Sequence, residues 1–235
     1  MTTERSVGSL QLRMNPILVI PKDYEAAPSR ETDSPPAPAQ TEWSMPNMKD
    51  TIKKVSINLF HRKGYFATSV SDIARGAGIQ KSSIYYHFAN KQEILFDILK
   101  TTMADLDENL EKKIKDINSA EEKMRVAIRS HLLFHLERQK EVIISDSELR
   151  GLTPDNYGSI LKMRDDYEKK LQSLIKRGIE EDIFRDMDIK IASYGIITMC
   201  TAVSTWFNQS GRLSKEEVVE IYTDFILNGL KRQAV

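Results

Sequence analysis

The stretch Thr68-Ser69-Val70-Ser71-Asp72-Ile73-Ala74-Arg75-Gly76-Ala77-Gly78-Ile79-Gln80-Lys81-Ser82-Ser83-Ile84-Tyr85-Tyr86-His87-Phe88 decides the fold. Ser69 followed three residues later by Asp72 has the spacing of a capping box, which predicts a helix starting at about Val70. Ile73, Ala74 and Ala77 give that helix an inner face, and Gly78 permits a tight exit turn. A further helix, Lys81 to Phe88, follows after only a few residues. Two helices across a short glycine turn form the helix-turn-helix signature, in which the second helix enters the major groove of a duplex. Ile84 and Phe88 are one helical turn apart and face the core, which leaves Lys81, Ser82, Ser83 and Tyr86 pointing outward. Short serines let a helix sit close to base edges, while lysine, tyrosine and His87 reach phosphates or bases from further out. Tyr85 is either a further contact or a core tyrosine with a wet hydroxyl. Thr68 and Ser69, and Lys91 in the first turn of the next helix, stand where backbone N–H groups already favour an anion.

Outward from this motif nearly everything from Met48 onward has helical period, which predicts an all-α fold. Ile52, Val55, Leu59 and Phe60 make one face of a preceding helix that Gly64 is placed to end. Asn90 and Glu93 form another start signal, for a long amphipathic helix running through Ile94, Leu95, Ile98, Leu99, Met103, Leu106, Leu110 and Ile114. Further helices are expected at about 120–137, 140–150, 156–180, 188–207 and 214–231, with Pro154 and Gly211 at two of the breaks. Seven of the eight prolines fall in residues 1–46. Residues 1–45 therefore read as a disordered Pro-rich tail, unless the true start is Met14, Met45 or Met48. The organisation expected is tail 1–45, a helix-turn-helix domain 46–93, and a helical effector-binding and dimerisation domain 94–235.

The formal net charge of zero hides an asymmetry: −2 over residues 1–45, +5 over 46–95 and −3 over 96–235. A basic segment joined to a mildly acidic one fits a first part that meets a polyanion. With 40% apolar residues and no long apolar run, the chain reads as soluble and cytoplasmic, with no membrane partner. One cysteine, Cys200, leaves no disulfide framework or cysteine zinc site within a chain. No nucleophile elbow, phosphate loop or dinucleotide fingerprint is present, so no enzyme activity and no cofactor are expected. His131 and His135 are four apart and could chelate a metal, but the glutamate of a metalloprotease motif is missing, and no metal is assigned.

The quoted motif, continued through Ala89-Asn90-Lys91, resembles the N-terminal motif of the TetR/AcrR family of bacterial transcriptional regulators, over residues 48–95. The resemblance implies an all-helical homodimer that binds double-stranded operator DNA and senses a small ligand, usually as a repressor released by that ligand. Gln80 departs from the family's usual Ser or Thr helix cap, and Ser82 from its common Gly, which leaves the operator sequence open. Two further segments resemble the acyl-CoA-responsive subset of that family. They are Met163-Arg164-Asp165-Asp166-Tyr167-Glu168 and the run from Thr198 through Trp206-Phe207 to Gly211-Arg212-Leu213-Ser214. Ala202 stands where that subset often has a tryptophan.

For such an effector, Met163, Tyr167, Met199, Trp206 and Phe207 could line an apolar tunnel, with Arg164 or Arg150 at its mouth. The competing reading is that these methionines and aromatics are core, and that Arg164 pairs with Glu168. The last two helices carry Ile189, Ile191, Ile196, Ile197, Val203, Val218, Ile221, Tyr222, Phe225, Ile226 and Leu230, too apolar for two exposed helices, and are assigned to a homodimer interface. Cys200 is expected to be a buried packing residue. Three alternatives stay open: the same scaffold sensing a cationic drug-like compound, an activator, and a dimeric ligand- or metal-binding protein without DNA binding.

Overall fold

A computed structural model describes residues 47–232, so the tail read as disordered lies outside the described residues. Among the described residues there are nine α-helices and no strand beyond a single antiparallel bridge, Phe184 with Lys231.

Local chemistry sets most of the helix ends. α1 (Met48–Lys63) starts where the Asn47 side chain accepts from the Lys49 N–H and stops at Gly64, whose φ of 81° needs a residue without Cβ. α2 (Val70–Gly76) begins on the expected capping box between Ser69 and Asp72. Gly78, at φ 68°, turns the chain into α3 (Lys81–His87). The Gln80 side chain makes no capping hydrogen bond, so the sequence departure noted there leaves the start of α3 uncapped by a side chain. Asn90 caps α4 (Lys91–Ile114) by accepting from the Glu93 N–H at 2.9 Å.

In the body, α5 (Ala120–Glu137) is followed by α6 (Gln139–Ser147). The sequence suggests one helix over 140–150; the structure instead tightens its end into a 3₁₀ turn, Leu149–Gly151. α7 runs Pro154–Glu180 and starts on the proline rather than after it. At the first helical position the missing N–H and fixed φ of proline cost nothing. α8 (Ile189–Trp206) and α9 (Lys215–Leu230) complete the body, the latter on a Ser214–Glu217 capping box.

Packing joins these elements in two cores. Ile52, Phe60, Ile73, Ile84 and Phe88 of the first helices pack with Ile94, Leu95, Ile98 and Leu99 of α4, and the same core continues into Ile144 of α6 and Ile160 of α7. Each such fully buried aliphatic side chain stabilises by about 2 kcal/mol relative to its exposed state. The second core surrounds α5, which packs on α4, α7, α8 and α9. Met124, Ile128 and Leu132 of α5 are buried there with Leu171 and Ile175 of α7, Val203 of α8 and Val219 of α9. Cys200 is buried in the protomer, as expected, and burial pushes its thiol pKa up. After α7 the Phe184 ring covers Gly178 so closely that a Cβ there would lie 2.0 Å from it.

Of the apolar set on α8 and α9, Ile196, Ile197, Val203, Val218, Ile226 and Leu230 are used inside the protomer. Ile189 and Tyr222 are half-buried, and Ile191, Ile221 and Phe225 are left outside, between 54% and 68% exposed, together with Trp206 from the set assigned to the effector. No helix among the described residues is long and apolar enough to cross a membrane.

Candidate nucleic-acid interface and the polar centre of the body

α3 is pinned by its apolar side: Ile84 is fully buried and Phe88, just past its end, is 4% exposed. That leaves one continuous outer surface carrying Lys81, Ser82, Tyr85 and Tyr86, with Ser83 and His87 half-buried at its edge. Tyr86 is 88% exposed and stands edge-on to the His87 ring. A large aromatic in water with a hydroxyl at its tip is poor packing and good equipment for reaching a phosphate or base edge.

The other three residues assigned to this surface hold the motif together. The Ser69 hydroxyl accepts from the Asp72 N–H at 3.1 Å and donates to the Asp72 carboxylate at 2.8 Å. Lys63 reaches the same carboxylate, and its hydrogen bond, with those of Ser69, holds Asp72 well below the usual carboxylate pKa. Thr68 is buried, and its hydroxyl donates to the Gly64 carbonyl at 2.8 Å. Lys91 turns inward: its ammonium donates to the carbonyls of Tyr65 at 2.8 Å and Thr68 at 2.7 Å and lies over the Tyr65 ring. These bonds fix the α1–α2 turn against the start of α4. The nine residues therefore fall into a set on the outer side and edge of α3 and a bonded set at the α1–α2 turn, where Ser69 is exposed, Lys91 half-buried and Thr68 buried.

The centre of the body is polar. His131 and His135 of α5 are buried and stacked, with parallel rings 4.0 Å apart. His135 Nδ1 lies 2.8 Å from the His131 carbonyl, which can only accept, so that nitrogen carries the proton and Nε2 is bare. The Thr201 hydroxyl then donates to His135 Nε2 at 3.4 Å and accepts from His131 Nε2–H at 3.3 Å. His131 Nδ1 is left to accept from the Tyr167 hydroxyl at 2.9 Å. Every ring nitrogen is satisfied with both imidazoles neutral. Burial pushes the His135 pKa down to about 4, with Arg164 adding to the shift against the opposing carbonyl bond. It drives His131 well below its ordinary value, and raises Tyr167 so that its hydroxyl stays a donor. Parallel rings engaged in this way do not converge on one ion, and no cluster of three or more metal-ligating side chains occurs among the described residues.

The residues assigned to an effector are dispersed around this chain. Tyr167 belongs to it. Arg164, one turn earlier on α7, is nearly buried and donates to the Ser145 carbonyl at 2.8 Å and to Asp146 at 3.0 Å, not to Glu168. Nearby, the Ser145 hydroxyl is buried with no hydrogen-bond partner among the described residues. Met163 packs partly buried against the core shared with the first helices, and Met199 is half-buried on α8. Phe207 is buried, and its carbonyl accepts from Gln139. Trp206 points to the outside and stacks on Tyr222. Arg150 sits elsewhere, over the Phe66 ring beside the α1–α2 turn.

A helix-turn-helix unit with an exposed, aromatic-tipped second helix, carried on an all-helical body, defines a DNA-binding regulator. Comparison with known proteins agrees. Residues 52–98 match the model of the bacterial regulatory proteins, tetR family, and residues 118–230 match a tetracyclin repressor-like C-terminal domain. The chain belongs to the TetR family of transcriptional regulators. It is 28% identical over 187 residues to the HTH-type transcriptional repressor KstR2 of Mycobacterium tuberculosis (strain ATCC 25618 / H37Rv), covering 78% of this chain and 93% of that one. It is 28% identical over 157 residues to the fatty acid metabolism regulator protein of Bacillus subtilis (strain 168), covering 66% and 81%. Its fold is similar to that of PfmR, a TetR family transcriptional regulator from Thermus thermophilus, at 31% identity and a TM-score of 0.71 over 77% of this chain and 99% of PfmR. It is also similar to AibR in complex with isovaleryl coenzyme A and operator DNA, at 25% identity and a TM-score of 0.70 over 79% and 98%.

Two features escape a reading of the sequence alone. The histidine spacing is visible, but not that the pair is buried and hydrogen-bonded to helices 36 and more residues away. The buried Glu148 carries no local signal, because a glutamate near a helix end is ordinarily solvated.

Proposed function

We propose that the protein is a homodimeric repressor that binds a pseudo-palindromic operator and is released by a small hydrophobic effector, an acyl-CoA or a fatty acid. The observation that carries the DNA-binding half is the outer surface of α3, where Tyr86 and its neighbours stand in water on a helix whose other side is locked in the core. The proposed base and phosphate contacts are Lys81, Ser82, Ser83, Tyr85, Tyr86 and His87, with Thr68, Ser69 and Lys91 setting the frame. Dimerisation through α8 and α9 is supported by the exposed Ile191, Trp206, Ile221 and Phe225. Two-fold pairing would set the spacing of two recognition helices to successive major grooves.

The repressor mode is supported by the role of KstR2 as a repressor, and the effector class by the B. subtilis regulator of fatty acid metabolism and by AibR with isovaleryl-CoA. The chain of Tyr167, His131, Thr201 and His135 is uncharged and spends its donors internally, so the centre of the body sets no ion against the apolar part of such an effector. Release follows if the effector binds better to a body whose helices hold the recognition helices at the wrong separation.

The test takes a duplex selected from a random library by the protein itself. Its gel mobility is then followed with isovaleryl-CoA, palmitoyl-CoA, oleate and a hydrophobic cation. Release by a thioester or the fatty acid, with a dimer seen by native mass spectrometry, supports the proposal. Release by the cation alone replaces the effector class, and selection of no duplex overturns the DNA-binding reading.

A further inference from the structure

Glu148 is a buried carboxylate at the end of α6, 8% exposed, and its Oε2 has no hydrogen-bond partner among the described residues. A buried carboxylate oxygen without a partner is uncommon and calls for an explanation. Its surroundings suggest one. The other oxygen, Oε1, lies 3.5 Å from where a Cβ would stand on Gly64, the residue that ends α1. The Gly64 carbonyl accepts from Thr68 Oγ1, and the Thr68 carbonyl accepts from the Lys91 ammonium. The carboxylate thus rests against the turn that Lys91 holds. The ammonium donates to the Tyr65 and Thr68 carbonyls and forms no ion pair with Glu148 among the described residues, so the carboxylate acts on it through its field rather than by contact. Burial lowers the Lys91 pKa, and the charge of Glu148 opposes that shift.

We propose that Glu148 is the positioning residue through which the body fixes the DNA-binding unit: its carboxylate, lodged at the Gly64 end of the α1–α2 turn, favours the inward Lys91 ammonium without bonding to it, and that ammonium keeps the turn in the shape from which α2 and α3 are presented. The inference rests on the DNA-binding reading above. Without the carboxylate, Lys91 has a desolvated charge and a flexible stem, and it snorkels to water. The turn from Tyr65 to Thr68 then loosens and must be ordered when DNA binds, which lowers affinity. α6 also packs on α8, so a shift of the body moves Glu148 relative to the turn.

The test uses Glu148→Gln, which keeps the shape and removes the charge, alongside Lys91→Met and the double variant. Expected for Glu148→Gln are operator binding at least fivefold weaker, faster hydrogen exchange at residues 65–70, and a Tm equal to or above that of the wild type. A residue that merely supports the fold would lower Tm together with affinity. In the double variant, Glu148→Gln should add nothing to the loss from Lys91→Met. Unchanged affinity, unchanged exchange at the turn, a parallel fall in Tm, or losses that multiply would each overturn the proposal. If the wild type selects no duplex, the DNA-binding reading fails, and the exchange and Tm measurements still decide whether Glu148 holds the turn.

Discussion

Tyr86 and His135 stand at opposite extremes of environment, and each makes a prediction that follows from it. Tyr86 touches little of its own protein, so Tyr86→Ala should leave Tm and oligomeric state unchanged while weakening operator binding by about 1–3 kcal/mol, as read by titrated gel shift. His135 is buried and neutral, with a pKa pushed down to about 4 against about 6.5 in the unfolded chain. The unfolded state therefore takes up a proton first as the pH falls. The stability that His135 contributes is fully present above pH 6.5 and is lost progressively down to about pH 4, on the order of 3 kcal/mol at the acid end. Thermal melts across that window should show a steep acid limb in the wild type and a shallower one in His135→Gln. At this scale the sequence was informative about exposed residues and poor on buried polar ones. Lys81, Ser82 and Tyr86 could be placed by their phase against Ile84 and Phe88. The inward turn of Lys91 could not, because its partners are backbone carbonyls 23 and 26 residues away.

At the scale of elements, legibility followed the caps. Where a side chain bonds the first turn, as at Ser69, Asn90 and Ser214, the helix begins where the sequence says it should. Where the end is set by packing, the reading drifted. α6 closes in a 3₁₀ turn, and Gly151 there lies close against the Tyr65 ring, a contact with no trace in local sequence. The junction after α7 is another such place. Gly178 gives up its side-chain space to Phe184, which seals the loop against the end of α9 through the bridge to Lys231. Gly178→Ala should force that buried ring aside and cost about 2 kcal/mol despite the better helix propensity of alanine, a loss measurable by urea denaturation.

For the whole molecule, the division of apolar surface between protomer and partner is the point the sequence could not resolve. Composition showed that α8 and α9 were too apolar to stand in water, but period alone could not say which residues fed the protomer's own core. If Ile191, Trp206, Ile221 and Phe225 form the seam between two copies, Phe225→Asp should convert the dimer to monomer in sedimentation experiments. It should cost at least tenfold in operator affinity without a change in helical content. The same pairing bears on how much a genome can be read. α3 has seven residues, an axial length of roughly 10 Å, which spans about three base pairs at the rise of B-form DNA. Two copies then specify about six pairs, a word that recurs by chance roughly once in 4,000 positions among the ~10⁶ or more competing sites of a chromosome. Direct reading by so short a helix supplies too little information to single out one promoter. In a dimer bound to two half-sites, the stiffness and groove width of the sequence between them would supply further bits.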